Sequence, residues 1–193
     1  MARAECWVSV DTETSGPGPS TGSLLSVGAC LVDDPEVGFY AEVAPSPAAA
    51  WSVAAEKVHR LTRAHLAANG RPPAEALGAL RDWTAAACGG RKPVFLGFNT
   101  PFDWMYVADQ FWLHLGANPF GTSAPDIKSI YYGARYPEVG LWSETSKRMI
   151  REFYPTPPGV AHTHNALDDA REQAQLARAI FADLRARRGR PRR

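Results

Sequence analysis

Long apolar runs are missing from this chain. Nowhere do about 18 apolar residues follow one another, so no membrane-spanning helix is expected. Cysteine is scarce: Cys6, Cys30 and Cys88 are odd in number, widely spaced, and without any Cys-x-x-Cys or nearby Cys/His pairing that would suggest zinc. They read as reduced, mostly buried thiols of a cytoplasmic protein. The first five residues pass straight into an apolar stretch, and no export signal is read there. Net charge is nearly absent as well, since 21 Lys and Arg face 20 Asp and Glu for a formal +1. That balance conceals an asymmetry. Arg185, Arg187, Arg188, Arg190, Arg192 and Arg193 stand together without an acid; setting them aside leaves 15 basic residues against 20 acidic ones, a body near −5. The basic end reads equally well as a solvated, frayed terminus or as a holder for a polyanion.

What is present suffices for one core. A chain of 193 residues, 45% of them hydrophobic, buries roughly 70% of its unfolded surface when folded. The expected organisation is a single domain over 1–184 with a basic, flexible tail over 185–193. Strands are expected at 6–11, 23–33 and 37–44, joined by Gly/Pro-rich turns into an antiparallel three-strand meander. Helical spacing sets in at Ala54 and runs through Val58, Leu61, His65 and Leu66, and a second helix follows over about 73–88. A fourth strand over 93–98, a helix opened by Pro101, a fifth strand or extended segment near 125–132, a helix over 143–153 and a long last helix from Asn165 complete the pattern. Alternating elements of this kind argue for an α/β fold: a mixed five-stranded sheet with helices on both faces.

The chemistry begins at the end of the first strand. Alternate residues of a strand share a face, so Asp11 and Glu13 point the same way. Two carboxylates side by side repel unless a cation sits between them, and the pair reads as half of a metal site. By itself the signal is weak, because about one Asp-x-Glu is expected by chance in a chain of this length. Two later segments add to it. Asn99-Thr100-Pro101-Phe102-Asp103 places an acid in the first turn of a helix, where the helix dipole alone would favour one. His164-Asn165-Ala166-Leu167-Asp168-Asp169 sets an imidazole before a helix and two acids in its first turns. Adjacent helical positions differ by about 100°, so only one of Asp168 and Asp169 can join a cluster, and spacing does not choose between them.

In this order, the three segments resemble the exonuclease motifs of the DEDDh family of 3'-5' exonucleases. The first motif, Asp-x-Glu, is matched by Asp11 and Glu13; the second ends in Asn-x-x-Phe-Asp, matched by Asn99, Phe102 and Asp103. The third, His-x-Ala-Leu-x-Asp, is matched by His164, Ala166, Leu167 and Asp169, so the family pattern selects Asp169. A chance match to that last pattern is on the order of one in a thousand chains. Asp126 falls where the family often has a further Asp. The chain departs from many relatives in having Ser15-Gly16-Pro17 after the first motif, without the bulky residue that packs on the terminal base, and Phe98 where relatives often have His.

The resemblance implies a ribonuclease H-like fold and a two-metal hydrolysis of phosphodiester bonds from the 3' end of single-stranded RNA or DNA. It implies two Mg²⁺ ions, with Mn²⁺ as a substitute, held by Asp11, Glu13, Asp103 and Asp169. Asp11 would bridge them, Glu13 and Asp169 would serve the ion on the side of the attacking water, and Asp103 would support the other. His164 would be the general base, since an imidazole with an ordinary pKa near 6.5 accepts a proton around neutral pH. Thr14, Asn99 and Phe102 are the expected substrate contacts, and Phe102 and Trp142 the candidates for stacking on bases. His59, His65, His114 and His162 read as surface or core residues. No membrane partner is expected and a homodimer stays open. Two alternatives remain beside the enzyme: a non-catalytic nucleic-acid-binding or scaffold domain of the same fold, and a phosphohydrolase acting on mononucleotides.

Overall fold

A computed structural model describes residues 4–155 and 163–188. Strands β1 (Glu5–Thr14), β2 (Leu24–Leu31), β3 (Gly38–Glu42) and β4 (Lys92–Leu96) form one sheet in the order β3-β2-β1-β4. The first three make the expected antiparallel meander, and β4 joins β1 in parallel. A parallel neighbour needs a long crossover. Here it is supplied by α1 (Val53–His59), α2 (Arg63–Asn69) and α3 (Pro73–Cys88).

Among the described residues the sheet has four strands where five were expected. The segment near 125–132 contributes a single parallel bridge, Gly97 to Asp126, and then turns into α5 (Ile127–Arg135). The cause is local. The Asp126 carboxylate accepts hydrogen bonds from Ser129 N at 3.1 Å and Ser129 Oγ at 2.8 Å, an N-cap that starts a helix and stops a strand. Ile127 and Tyr131 then follow at helical spacing, and both are buried. The helix expected from Ala54 through Leu66 is likewise two helices. Arg60 takes a left-handed conformation (φ 61°), and Ser52 and Thr62 cap α1 and α2 separately. The expected helix at 143–153 is a 3-10 turn, Trp142–Thr145, followed by α6 (Lys147–Phe153). Helix α7 (Ala166–Arg188) takes in the first three arginines of the basic end, and Arg187 donates from Nε to Asp183 and from Nη1 to the Ala134 carbonyl, both at 3.0 Å. Residues 189–193 and His162 lie outside the described residues. Among the described residues no helix is long and apolar enough to cross a membrane.

Strand alternation divides the core into two layers. Cys6, Val8, Val10, Val27, Ala29 and Phe95 face α3 and α4 (Pro101–Leu115), where Leu77, Leu80, Tyr106 and Phe111 meet them. Cys30, Val32 and Leu96 face the other way, onto Ile127, Tyr131, Ile150, Ala170, Ala174 and Ile180. Helices therefore cover both faces, as expected. The second layer is thin at one point: a Cβ on Gly28 would lie 2.1 Å from the carbonyl carbon of Ala166 and 2.2 Å from Leu167 N. Backbone thus rests on backbone, and Gly28 pairs with Asp11 in the β1/β2 register. The first turn of α7 is seated directly beside the acids of β1.

Gly28→Ala should therefore lift that turn and lower the unfolding free energy by about 1–3 kcal/mol, as overpacking does. Gly133→Ala in α5, where a Cβ meets nothing within 4 Å, should instead be stabilising by about 0.5–1 kcal/mol. Urea denaturation measures both; wild-type stability in Gly28→Ala would contradict the seating.

Candidate functional site

Three chain segments converge at the end of β1. Asp11 and Glu13 share the sheet face that α7 covers, and Gln173 of α7 donates from Nε2 to Asp11 Oδ1. The same Gln173 accepts from Phe98 N through Oε1 at 3.0 Å, so one buried amide spans β1 and the end of β4. Thr12 points to the opposite face. Its N–H and Oγ1 both donate to Asp103 Oδ1, at 3.0 and 2.8 Å, and fasten α4 to β1 between the two acids. Asp103 is 5% exposed.

The turn before α4 is organised by Asp126. Its Oδ1 accepts from Asn99 N at 2.9 Å and Thr100 N at 3.1 Å, while Thr100 Oγ1 donates to the Pro125 carbonyl at 2.9 Å. Asn99 has φ 63°, a conformation Asn tolerates better than most residues. Pro101 opens the helix where no intrahelical N–H partner is needed, and Asp103 falls in its first turn. The start of α7 is built similarly: Asn165 Oδ1 accepts from Leu167 N at 3.0 Å, His164 has φ 57°, and Thr163 N donates to Asp169 Oδ1 at 3.2 Å. Asp169 is 2% exposed. Glu13, His164 and Asp169 each offer a ligand atom, all within 4.8 Å of one another. Asp168 turns aside, accepting from Thr163 Oγ1 at 2.9 Å with Arg171 Nη1 at 3.7 Å.

The electrostatics follow from this crowding. Burial, then the charges of Asp103, Asp169 and Glu13, push the Asp11 carboxyl well above its ordinary pKa. Burial and the charges of Asp169 and Asp103 raise Glu13 to about 8. Burial raises Asp103 to about 7, against the opposing pull of the Thr12 hydrogen bonds. Lys147, on α6, is the cation nearest in effect. It lowers Asp11 and Asp103, donates to Glu172 Oε2 at 2.9 Å, and is itself held below its ordinary pKa by burial. Clustered oxygen donors that resist joint ionisation suit hard divalent cations.

The remaining expected contacts are dispersed. Thr14 is buried and spends its hydroxyl on the Gly16 carbonyl at 3.0 Å. Phe102 is half-buried against Tyr106, whose hydroxyl also donates to that carbonyl, at 2.7 Å. Asn99 is exposed and Trp142 is 52% exposed. Sequence reasoning missed Thr12, Lys147 and Gln173. Gln173 had a signal, standing four residues after Asp169 and so on the same helical face. Lys147, beside Arg148 in a polar segment, had none. His59, read as a surface or core residue, is core at 6% exposed; its Nδ1 accepts from Leu61 N at 3.0 Å, and Nε2 has no hydrogen-bond partner among the described residues. Burial holds the His59 imidazole below its ordinary pKa.

The family described as the 3'-5' exoribonuclease Rv2179c-like domain matches residues 6–181. The 3'-5' DNA exonuclease Cap18 of Escherichia coli is 37% identical over 177 residues, 91% of each chain. Among solved structures, the nuclease domain of 3'hExo, a DEDDh family member bound to rAMP, superposes with a TM-score of 0.72 at 17% identity, over 93% of this chain and 92% of that one. Escherichia coli exonuclease I in complex with a dT13 oligonucleotide gives a TM-score of 0.70 at 18% identity, over 95% of this chain and 42% of that one. The chain thus spans about two-fifths of exonuclease I. At these identities the two structures establish the fold, a ribonuclease H-like α/β sheet with helices on both faces.

The raised carboxyls predict how stability varies with pH. Unfolded Asp and Glu release protons near pH 4, whereas folded Glu13 and Asp103 hold them to about pH 8 and about pH 7. The native state then binds more protons than the unfolded one, so stability of the metal-free protein should fall as pH rises from about 4 to about 8. Mg²⁺ should raise the melting temperature more at pH 8 than at pH 5. Equal metal effects at both values, in melts run against EDTA, would count against a shared cation site.

Proposed function

The chain belongs to the 3'-5' exoribonuclease Rv2179c-like family and is a DEDDh 3'-5' exonuclease; on that premise we propose that it shortens single-stranded nucleic acid from the 3' end with divalent cations, Mg²⁺ or Mn²⁺, held by Asp11, Glu13, Asp103 and Asp169, and with His164 as general base. The observation that carries the proposal is the convergence of these acids from β1, α4 and α7, with Glu13, Asp169 and His164 within 4.8 Å of one another. The chemistry of the donors fits the cations, since carboxylates crowded enough to raise their own pKa values gain most from positive charge. When bound, the cations supply Lewis-acid stabilisation of negative charge on the attacking and leaving oxygens.

The chain's own groups do the rest. Thr12 and Gln173 fix the orientation of Asp103 and Asp11, so those carboxylates need no reorganisation when substrate arrives. His164, on the turn before α7, takes the proton from the attacking water beside Glu13 and Asp169. Lys147 places a positive charge near the acids and moderates the repulsion a phosphate would meet. With Cys6, Cys30 and Cys88 free and buried, the proposal includes a cytoplasmic setting.

The test is a time course on 5'-labelled single-stranded RNA and DNA with Mg²⁺ or Mn²⁺, against EDTA and Asp11→Ala. The family is described by RNA and the Escherichia coli relative by DNA, so both sugars belong in the assay. A metal-dependent ladder retreating from the 3' end is expected; intact strands under every metal condition would overturn the proposal. His164→Ala should bind metal but lose about 10²–10⁴-fold in kcat, the usual contribution of a general base. Asp169→Asn should be far more damaging than Asp168→Asn, and the reverse order would displace Asp169 from the centre.

A further inference from the structure

A cation and a half-exposed indole that the hydrolytic step does not use are linked through Asn99 to the second acidic segment. Lys128, in the first turn of α5, carries its Nζ 4.8 Å from the centre of the Trp142 ring and 3.4 Å from Asn99 Oδ1. Asn99 is four residues from Asp103, and its backbone is held by the same Asp126 carboxylate that caps α5. Tyr132 and Trp142 meet edge to face, with centroids 6.1 Å apart and ring planes at 66°. Even with Lys128 and Tyr132 in contact, Trp142 remains 52% exposed. Lys128 makes no ion pair among the described residues.

The half-exposed indole offers ring surface to a ligand, and a lysine with no ion pair among the described residues, tied through Asn99 to the second acidic segment, suits a phosphate. A single nucleic-acid strand offers what the pair lacks: a flat base for the ring and a phosphate for the ammonium. Resting on the exonuclease reading, we propose that Lys128 and Trp142 form a subsite for the nucleotide immediately upstream of the one removed, the indole stacking on its base and Nζ pairing with its phosphate. Asn99 joins the subsite to the second acidic segment. A strand whose scissile phosphate lies among the acids has a further nucleotide to offer the pair, whereas a single nucleotide has none. The occupant is therefore the continuing strand. It is recognised without regard to sequence, because every base has a face on which an indole can stack.

Two substrates separate the subsite from the centre. One is the single strand that the wild type degrades; the other is the methyl ester of thymidine 5'-monophosphate, which has a terminal nucleoside and a scissile phosphodiester but neither an upstream nucleotide nor an aromatic leaving group. Trp142→Ala should lower the ratio of kcat/KM on the strand to kcat/KM on the ester by about tenfold, within the range of base–aromatic stacking. Trp142→Phe should recover most of it. Lys128→Ala should raise KM on the strand and flatten the slope of log KM against log salt by about 0.7, the value for one phosphate contact on a single strand. Unaltered ratios and salt slope in the variants would overturn the subsite, and so would equal losses on both substrates, which would make the pair a support for Asn99. A wild type that cleaves neither substrate would overturn the exonuclease reading itself.

Discussion

Carboxylates packed at one end of a central strand repel one another, and the site depends on how the fold holds them together. Burial and mutual charge raise Asp11, Glu13 and Asp103 above their ordinary range, so the polypeptide stores an electrostatic cost that divalent cations would relieve. The restraint comes from short hydrogen-bonded ties. Thr12 fastens Asp103 to β1, Gln173 fastens Asp11 to α7 and β4, and Thr163 fastens Asp169 to the turn that carries His164.

Those ties need helices on both faces of the sheet at close range. On the α7 side this is achieved by removing side chains. Gly28 lies against the Ala166 backbone, and Ala170, Ala174 and Ala177 continue a small-residue contact along the helix. On the other side the approach is made by bulk, with Phe95, Tyr106 and Phe111 filling the layer under α4. The asymmetry suits the site. The helix bearing Asp169 must sit within ligand distance of Glu13, whereas Asp103 comes in from the first turn of α4 and is reached by Thr12 across the strand.

Around this centre the cations of the chain are graded by burial. Lys147 is held among the acids and against Glu172, close enough to alter their ionisation. Lys128 stands outside, over an exposed indole and beside Asn99. The first moderates the charge of the centre. In the proposed subsite the second would meet a strand as it approaches, where the negative field would otherwise repel it.

Much of this was legible in the sequence. Strand alternation put Asp11 and Glu13 on one face, Pro101 marked the start of a helix, and the order of three acidic segments pointed to the family. Each of those signals is local, carried by residues a few positions apart. Where local signals competed, the reading slipped. The segment after Pro125 looked extended until the Asp126 cap turned it into α5, and helical spacing from Ala54 to Leu66 concealed the break at Arg60. By itself, then, the sequence determined the meander, the long last helix and the acids that belong together. Only the tertiary structure decided that Gln173 links Asp11 to Phe98, that Lys147 lies among the acids, and that Lys128 and Trp142 meet. Except for Lys128 and Trp142, 14 positions apart but in separate elements, these links join residues tens of positions apart or more, and distances of that kind are set by packing rather than by the period of any one element.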